Sequence, residues 1–244
     1  MQALILAGGY ATRLYPLTKD TPKPLLPIQD KPLIDYLLDK MIPIKDLSSV
    51  IVVTNDKFYS PFRTWAQGHK DFPVEIQVIN DETKTNEDRR GSIGDCDFVL
   101  KKGLIQEDLL VIGGDNLFDQ DLKGFLRWAR QKSPAIAAGL FDIQDKAKAT
   151  QFGVATLDQQ KKVSSFEEKP RIAQTSLIGM CLYFFPKPAL GRIGEYLKES
   201  KKSDTTGDFI KWLSQKEPVY GFVFTGKWYD IGSLEAYQEA EERF

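Results

Sequence analysis

Histidine and cysteine are scarce in this sequence. Of its 244 residues, one is histidine and two are cysteine. His69 lies in a polar segment with no metal ligand or nucleophile beside it, so histidine-based triads and zinc sites are poorly supported. Cys96 and Cys181 are expected to be free thiols, because no secretory signal is recognisable at the N-terminus. This usage predicts a cytoplasmic protein.

The sequence also lacks an excess of charge and a long apolar run. Its 33 Lys and Arg residues nearly balance 34 Asp and Glu residues, which argues against binding to nucleic acid or to an anionic membrane. No run of 18 apolar residues that could span a membrane occurs. With 42% hydrophobic residues, we expect one α/β domain over residues 1–244. The sequence leaves open whether the protein forms a homo-oligomer.

What the sequence does contain is a glycine turn directly after its first strand. The apolar run Ala3 to Ala7 predicts a strand, and Gly8-Gly9 after it lets bare backbone N–H groups approach a ligand. Arg13 follows closely, and Lys23 comes ten positions later. Backbone donors combined with a bidentate arginine and a lysine point charge predict a cradle for a polyphosphate.

Two familiar phosphate-binding glycine loops do not fit this turn. A P-loop requires G-x-x-x-x-G-K-[ST], and a dinucleotide fingerprint requires G-x-G-x-x-G at the start of a helix. Here Tyr10 and Arg13 interrupt both patterns, which disfavours a dinucleotide-dependent oxidoreductase. A long helix after the turn is excluded by four prolines, Pro16, Pro22, Pro24 and Pro27.

Further along the chain, strand-like and helix-like segments alternate. Strands are predicted at 50–53, 74–79, 109–112, 135–141, 152–156, 162–166, 177–185 and 219–224. Helices are predicted at Asp30-Lys31-Pro32 with Asp30 as the cap, at 58–67, from Gly91, and at 122–132, 207–215 and 234–242. The pattern favours a three-layer αβα fold whose sheet is mixed and mainly parallel, with a small antiparallel portion.

Two aspartates stand where an α/β sheet could use them. Asp115 ends an apolar strand, and open α/β sheets bind ligands at the carboxyl ends of their strands. Asp230 lies between a short apolar segment and the last helix. Taken alone, either residue could equally serve as a turn or cap residue.

The N-terminal motif resembles the signature of a known enzyme family. The chain carries Gly8-Gly9-x-Ala11-Thr12-Arg13-Leu14-x-Pro16-Leu17-Thr18 and then Pro22-Lys23-Pro24-Leu25-Leu26-Pro27. This pattern is similar to that of the sugar-1-phosphate nucleotidyltransferases, or NDP-sugar pyrophosphorylases, which have a Rossmann-like fold. Most members have Gly where this chain has Ala11, which indicates a backbone conformation that alanine tolerates.

The resemblance implies roles for particular residues. Arg13 would bind the β- and γ-phosphates, Lys23 the transferring phosphoryl group, and Asp115 with Asp230 would hold Mg²⁺. The implied nucleotide-binding residues are Leu6, Ala7, Gly8, Gly9, Ala11, Thr12, Asn86, Gly91 and Ser92. The implied residues for the sugar phosphate are Asn116, Gly153, Glu168, Lys169 and Gly179.

Two positions depart from the family pattern, and one motif indicates a particular group of substrates within the family. Asn86 stands where members read the base with Gln, five residues before Gly91-Ser92, and Cys181 stands where many have Tyr. Gly114-Asp115-Asn116 is similar to hexose-1-phosphate thymidylyl- and uridylyltransferases. The resemblance thus implies small-molecule substrates, with transfer from dTTP or UTP to a hexose-1-phosphate such as glucose-1-phosphate.

Alternatives remain within and beyond this chemistry. Cytidylyl or guanylyl transfer to phosphocholine or mannose-1-phosphate would use the same phosphate-binding residues. A non-catalytic subunit that senses nucleotide sugars would be expected to lack part of the charged set, whereas Arg13, Lys23, Asp115, Lys169 and Asp230 are all present.

Overall fold

The computed structural model describes residues 1–200 and 205–244. Its strands are β1 Gln2–Ala7, β2 Pro27–Ile28, β3 Lys31–Pro32, β4 Ser49–Thr54, β5 Glu75–Asn80, β6 Leu109–Gly113, β7 Asn116–Phe118, β8 Ile136–Asp142, β9 Gly153–Leu157, β10 Val163–Glu168, β11 Leu177–Phe185, β12 Val219–Phe224 and β13 Trp228–Asp230. Its α-helices are α1 Leu33–Met41, α2 Asp56–Gln67, α3 Gly91–Lys101, α4 Leu122–Arg130, α5 Lys146–Ala149, α6 Gly191–Glu199, α7 Thr206–Ser214 and α8 Leu234–Arg243.

Nine of these strands form one mixed sheet. The main path runs β10-β9-β11-β6-β1-β4-β5, with β8 paired to β11 and β12 paired to β8. The pairings of β1 with β4 and β6, of β4 with β5 and of β8 with β12 are parallel, whereas β11 runs antiparallel to β6, β8 and β9. The mixed, mainly parallel sheet with a small antiparallel portion is therefore confirmed.

Helices cover both faces of the sheet. Because side chains alternate along β1, Ala3 and Ile5 lie in the core beneath α1, α2 and α4, whereas Leu4 lies in the core beneath α3, α6 and α7. Both cores are apolar and fully buried at the centre of the sheet. The three-layer αβα arrangement is thus confirmed, and it fixes the strand ends that carry the candidate site.

Two helix predictions differ from the structure. The first helix begins at Leu33 and has no side-chain cap, because Lys31-Pro32 pairs with Pro27-Ile28 in a short hairpin; Asp30 therefore is not the N-cap. Helix α6 was not predicted, because Gly191 and Gly194 weaken the helical signal of its sequence. Its Ile193 and Tyr196 are buried against the sheet, so tertiary packing stabilises it.

The remaining differences are small. The helix predicted at 122–132 ends at Arg130, and Asp121 caps its first turn by accepting hydrogen bonds from two backbone N–H groups. His69 is half-buried, with Nε2 3.3 Å from Asp35 Oδ1. None of the helices in the described parts of the chain combines the length and apolar character that a membrane span requires.

Candidate functional site

A cleft of about 760 Å³ opens at the carboxyl ends of the central strands. Nine of the residues implied by the family resemblance line it: Arg13, Ser92, Asp115, Asn116, Gly153, Glu168, Lys169, Gly179 and Asp230. They come from segments up to 217 positions apart in the sequence, between Arg13 and Asp230. The fold therefore brings most of the predicted charged residues, and the residues implied for the sugar phosphate, into one cleft.

The glycine turn after β1 is held from below by the neighbouring strand β4. Thr54 Oγ1 donates to the carbonyl oxygen of Ala7 at 3.1 Å, and Asn55 Nδ2 donates to that of Gly8 at 3.0 Å. Thr54 and Asn55 are fully buried. With its carbonyl groups satisfied from beneath, the turn keeps a defined conformation over the end of the sheet.

Ala11 and Arg13 follow in a tight turn. Ala11 has φ 47° and ψ 40°, a left-handed conformation that favours glycine and that alanine occupies only at a cost in free energy. Thr18 Oγ1 donates to the carbonyl oxygen of Ala11 at 2.7 Å and holds the turn. Thr12–Leu14 then form a 3₁₀ turn in which Leu14 is buried and Arg13 is exposed to the cleft. The buried leucine anchors the arginine.

Lys23, Asp115 and Asp230 form the charged centre of the site. Lys23 Nζ lies 2.7 Å from Asp115 Oδ2 and 3.8 Å from Asp230 Oδ1. The lysine side chain is only 11% exposed, while those of the aspartates are 39% and 34% exposed. Pro24 packs against Gly114, where a Cβ atom would lie 3.0 Å from the proline ring, and this contact fixes the lysine beside the aspartates.

The two carboxylates differ in acidity for electrostatic reasons. Although partial burial opposes it, the adjacent Lys23 ammonium lowers the pKa of Asp115 below its usual value. Burial and the neighbouring charge of Asp115 raise the pKa of Asp230, while Lys23 and Arg13 oppose that rise. The site thus holds two neighbouring carboxylates whose mutual repulsion the nearby cations offset only in part, and a divalent ion would complete the balance.

The donor set fits Mg²⁺ and not a metal held by protein ligands alone. In residues 1–200 and 205–244, no three His, Cys, Asp or Glu side chains gather into a metal-binding cluster. Mg²⁺ is typically bound by one or two carboxylates together with substrate phosphates and water. Asp115 and Asp230 supply such a pair of carboxylates in the cleft.

A pair of short strands brings the two aspartates together. β7 and β13 pair antiparallel, and Asp230 lies opposite Asn116. Trp228 Nε1 donates to Asn116 Oδ1 at 2.9 Å, and Asn116 Nδ2 donates to the carbonyl oxygen of Gly113 at 3.3 Å. The buried Asn116 side chain therefore links the two acidic segments, and its amide oxygen and nitrogen both make hydrogen bonds within the protein.

The opposite wall of the cleft carries the predicted acceptor residues. Glu168 ends β10 and is paired with Gly153 of β9. Lys169 follows with φ 46°, its side chain is 62% exposed, and its Nζ lies 4.0 Å from Glu168 Oε1. A Cβ atom at Gly153 or Gly179 would lie 2.5 or 3.1 Å from the ring of Phe166, so both glycines make room for that ring.

Strand β11 is irregular where it passes the cleft. Cys181 has φ 51° at a shift in the pairing of β11 with β8, between Gly179 and Tyr183. Burial raises the pKa of the Cys181 thiol to about 12, and Asp115 adds to the rise, so the thiol is neutral and no nucleophile. Tyr183 donates from its hydroxyl to Thr206 Oγ1 at 3.0 Å, which connects β11 to the start of α7.

The predicted base-reading residues are less well gathered. Ser92 in the first turn of α3 lines the cleft, and Gly91 before it has φ 75°, which glycine adopts without strain. Asn86 lies in the exposed loop between β5 and α3, where Arg89 donates to its side-chain oxygen at 3.2 Å. The structure does not bring Asn86 to the cleft.

A buried pair of acids next to Gly8 was missed. Asp81 follows β5 directly, and Asp95 lies in α3; they are 1% and 4% exposed. A Cβ atom at Gly8 would lie 2.7 Å from Asp95 Oδ2 and 3.3 Å from Asp81 Oδ2. Asp81 was detectable as a polar residue directly after a predicted strand, whereas Asp95 was hidden within a helix. Asp95 Oδ1 has no hydrogen-bond partner among the described residues.

Comparisons with known proteins show which family this chain belongs to. The family model described as Nucleotidyl transferase matches residues 2–244. The bifunctional protein GlmU of Methanocaldococcus jannaschii is 29% identical over 239 residues, which cover 95% of this chain and 51% of that protein. The UTP–glucose-1-phosphate uridylyltransferase of Synechocystis sp. is 27% identical over 248 residues, covering 98% of this chain and 62% of that protein.

Solved structures resemble the fold as well. A UDP-glucose pyrophosphorylase complexed with UDP-glucose superposes with a TM-score of 0.80 at 23% identity, covering 99% of this chain and 97% of that one. This chain spans about half to three-fifths of the length of the curated relatives, 51% and 62%. Because the family model covers nearly the whole sequence, the chain belongs to the nucleotidyl transferase family.

Proposed function

We propose that this protein transfers a nucleotidyl group from dTTP or UTP to a hexose-1-phosphate such as glucose-1-phosphate, with release of pyrophosphate. The observation that carries the proposal is the contact of Lys23 with both Asp115 and Asp230, at 2.7 and 3.8 Å. A cation and two carboxylates at the mouth of a glycine turn suit the alignment of two phosphorylated substrates. A sensing subunit without activity is disfavoured, because the charged set is complete.

The reaction needs alignment and neutralisation of charge and no covalent nucleophile. A phosphate oxygen of the acceptor attacks the α-phosphorus of the nucleotide, and the bond from that phosphorus to the bridging oxygen of the leaving pyrophosphate breaks. Arg13 binds the β- and γ-phosphates, and Lys23 stabilises the charge that develops on the transferring group. Lys169 binds the phosphate of the acceptor. Mg²⁺, held by Asp115 and Asp230, would polarise the phosphate oxygens.

The acceptor wall supports a hydroxylated ring as the substrate. Glu168 offers a carboxylate that can accept hydrogen bonds from sugar hydroxyls, and Phe152 and Trp228 line the same cleft. Their ring centroids lie 5.6 Å apart. Aromatic faces beside a carboxylate also favour a quaternary ammonium group, so phosphocholine is the second candidate acceptor.

A pyrophosphate-release matrix tests the function. ATP, GTP, CTP, UTP and dTTP are each combined with glucose-1-phosphate, mannose-1-phosphate and phosphocholine in the presence of Mg²⁺. We expect release with UTP or dTTP and glucose-1-phosphate. Release only with CTP and phosphocholine would show that the protein is a cytidylyltransferase acting on phosphocholine. Release only with GTP and mannose-1-phosphate would show that it is a guanylyltransferase acting on mannose-1-phosphate. No release in any combination, from folded protein, would reject the activity.

A further inference from the structure

Glu168 lies in a slot between two glycines that belong to different elements. Gly153 faces it across the β9–β10 pairing, and Gly207 is the second residue of α7. An added Cβ atom at Gly207 would lie 1.9 Å from Glu168 Oε2, and one at Gly153 would lie 3.0 Å from the same oxygen. The Glu168 carboxylate therefore occupies the space that a side chain at position 207 would fill.

The ring of Phe166 closes the slot from a third side. It would lie 3.1 Å from a Cβ atom at Gly207 and 2.5 Å from one at Gly153. Phe166 is 4% exposed and belongs to the core beneath α7, so it has little room to move aside. The glutamate side chain is 19% exposed and lines the cleft, so it has more room than the ring.

The place of Gly207 suits a carboxylate. It is a buried residue in the first turn of α7, where the positive end of the helix dipole favours an anion. Thr205 caps this helix, accepting from the backbone N–H of Asp208 at 3.2 Å. Thr205, Thr206 and Gly207 all line the cleft. The start of α7 is thus a fixed part of the acceptor wall.

We propose that Gly207 is a positioning residue, whose missing side chain lets the Glu168 carboxylate stand against α7 in the orientation that meets the acceptor. This inference rests on the proposed function for the identity of the acceptor. A methyl group at position 207 would push the carboxylate out of the slot and leave the nucleotide half of the cleft unchanged, since Arg13 and Lys23 lie on other elements. The role belongs to the pairing of Gly207 with Glu168 and not to Gly207 alone.

The kinetic test compares Gly207→Ala with Gly191→Ala. Gly191 also begins a helix, α6, but a Cβ atom there meets nothing within 4 Å. We expect Gly207→Ala to raise KM for the acceptor about tenfold, the effect of one lost charge-assisted contact, with KM for the nucleotide unchanged. Gly191→Ala should change neither. In a Glu168→Ala background, Gly207→Ala should have no further effect, because the group that it displaces is gone.

A second readout does not require turnover. The side-chain carboxyl ¹³C resonance of Glu168, assigned by its loss in Glu168→Gln, should move in Gly207→Ala and stay in place in Gly191→Ala. An unmoved resonance, a moved resonance with unchanged acceptor KM, or an equal effect of Gly207→Ala in both backgrounds would overturn the proposal. Loss of the dispersed NMR signals of the folded protein in Gly207→Ala, but not in Gly191→Ala, would also overturn it, because the role of Gly207 would then be structural. A moved resonance in a protein that turns over no acceptor would reject only the proposed function.

Discussion

Trp228 donates its indole N–H to the side-chain oxygen of Asn116 at 2.9 Å, across 112 positions of sequence. Asn116 is 4% exposed and lies directly after Asp115, while Trp228 lies two residues before Asp230. This hydrogen bond therefore fastens the two acidic segments to each other. It thereby helps to hold the Asp115 and Asp230 carboxylates near each other.

Replacing Trp228 by Phe should remove the hydrogen bond between the two acidic segments. The ring remains, but the buried oxygen of Asn116 loses its donor, so we expect a loss of about 1–3 kcal/mol in the free energy of unfolding together with a lower kcat. Urea denaturation and steady-state kinetics measure both. Trp212→Phe is the matched control, because its indole N–H donates to Glu199 at an exposed position. Equal losses of stability and unchanged kcat in the two variants would contradict the prediction.

Asp115→Asn and Asp230→Asn should both lower turnover by orders of magnitude but affect stability in opposite directions. Asp115→Asn leaves the nearly buried Lys23 ammonium without its partner at 2.7 Å, so the variant should melt below the wild type. Asp230→Asn removes repulsion between like charges and should melt at or above it.

The double variant extends this comparison. Two residues that act on one metal behave as a unit, so Asp115→Asn with Asp230→Asn should be little slower than either single variant. Scanning calorimetry and Mg²⁺-dependent pyrophosphate release are the measurements. Near-normal Mg²⁺-dependent activity in Asp230→Asn would separate that residue from the metal and leave Asp115 as the only carboxylate ligand.

Lys169→Ala should raise KM for the sugar-1-phosphate far more than KM for the nucleotide. A lost charge-assisted contact is worth roughly 1.5–3 kcal/mol, which corresponds to about one to two decades. Lys161→Ala is the control, since Lys161 is also exposed and also has a positive φ, 65°, but lies in the β9–β10 turn. Equal effects on both substrates would show that Lys169 is an ordinary surface charge.

The Asp81–Asp95 pair predicts a dependence of stability on pH. Burial raises the pKa of Asp95 to about 8, and Asp81 adds to the rise, while Arg90 opposes it. Between the unfolded value near 3.8 and about 8, the folded state holds one more proton than the unfolded state. Its stability should therefore fall as pH rises through this window, by up to about 1.4 kcal/mol per pH unit.

Asp95→Asn should remove this slope, because an amide keeps the shape of the acid and cannot ionise. Relative to the wild type, the variant should gain stability steadily from pH 5 to pH 8. Urea denaturation at several pH values across that window measures the difference. Parallel profiles for the two proteins would show that Asp95 does not titrate there.

Ala11→Gly should stabilise the protein. The left-handed conformation at φ 47° destabilises the folded state by roughly 1–2 kcal/mol when the residue is alanine, and glycine removes this strain. Part of the gain is lost again, because glycine also increases the conformational entropy of the unfolded chain. The net increase in the free energy of unfolding should be about 0.5–1 kcal/mol, with turnover kept. A lower melting temperature would show that Ala11 does not hold this conformation in solution.

The sequence by itself determined the elements whose signal is local. The apolar run before Gly8-Gly9 predicts β1, the alternation of strands and helices predicts the three layers, and the four prolines exclude a helix after the turn. Arg13 and Lys23 were found because the motif around them is contiguous. In each case the deciding interaction, a backbone preference or a side-chain period, acts within a few residues.

Only the tertiary structure decided how distant segments meet. The start of α1 depends on a hairpin with Pro27-Ile28, and α6 depends on burial against the sheet, since its own glycines disfavour a helix. The pairing of Trp228 with Asn116 and the slot of Glu168 beside Gly207 join residues that no local pattern connects. Contacts between distant segments close long loops, which costs conformational entropy. They form only when packing of the core offsets this cost and brings separate strands and helices together.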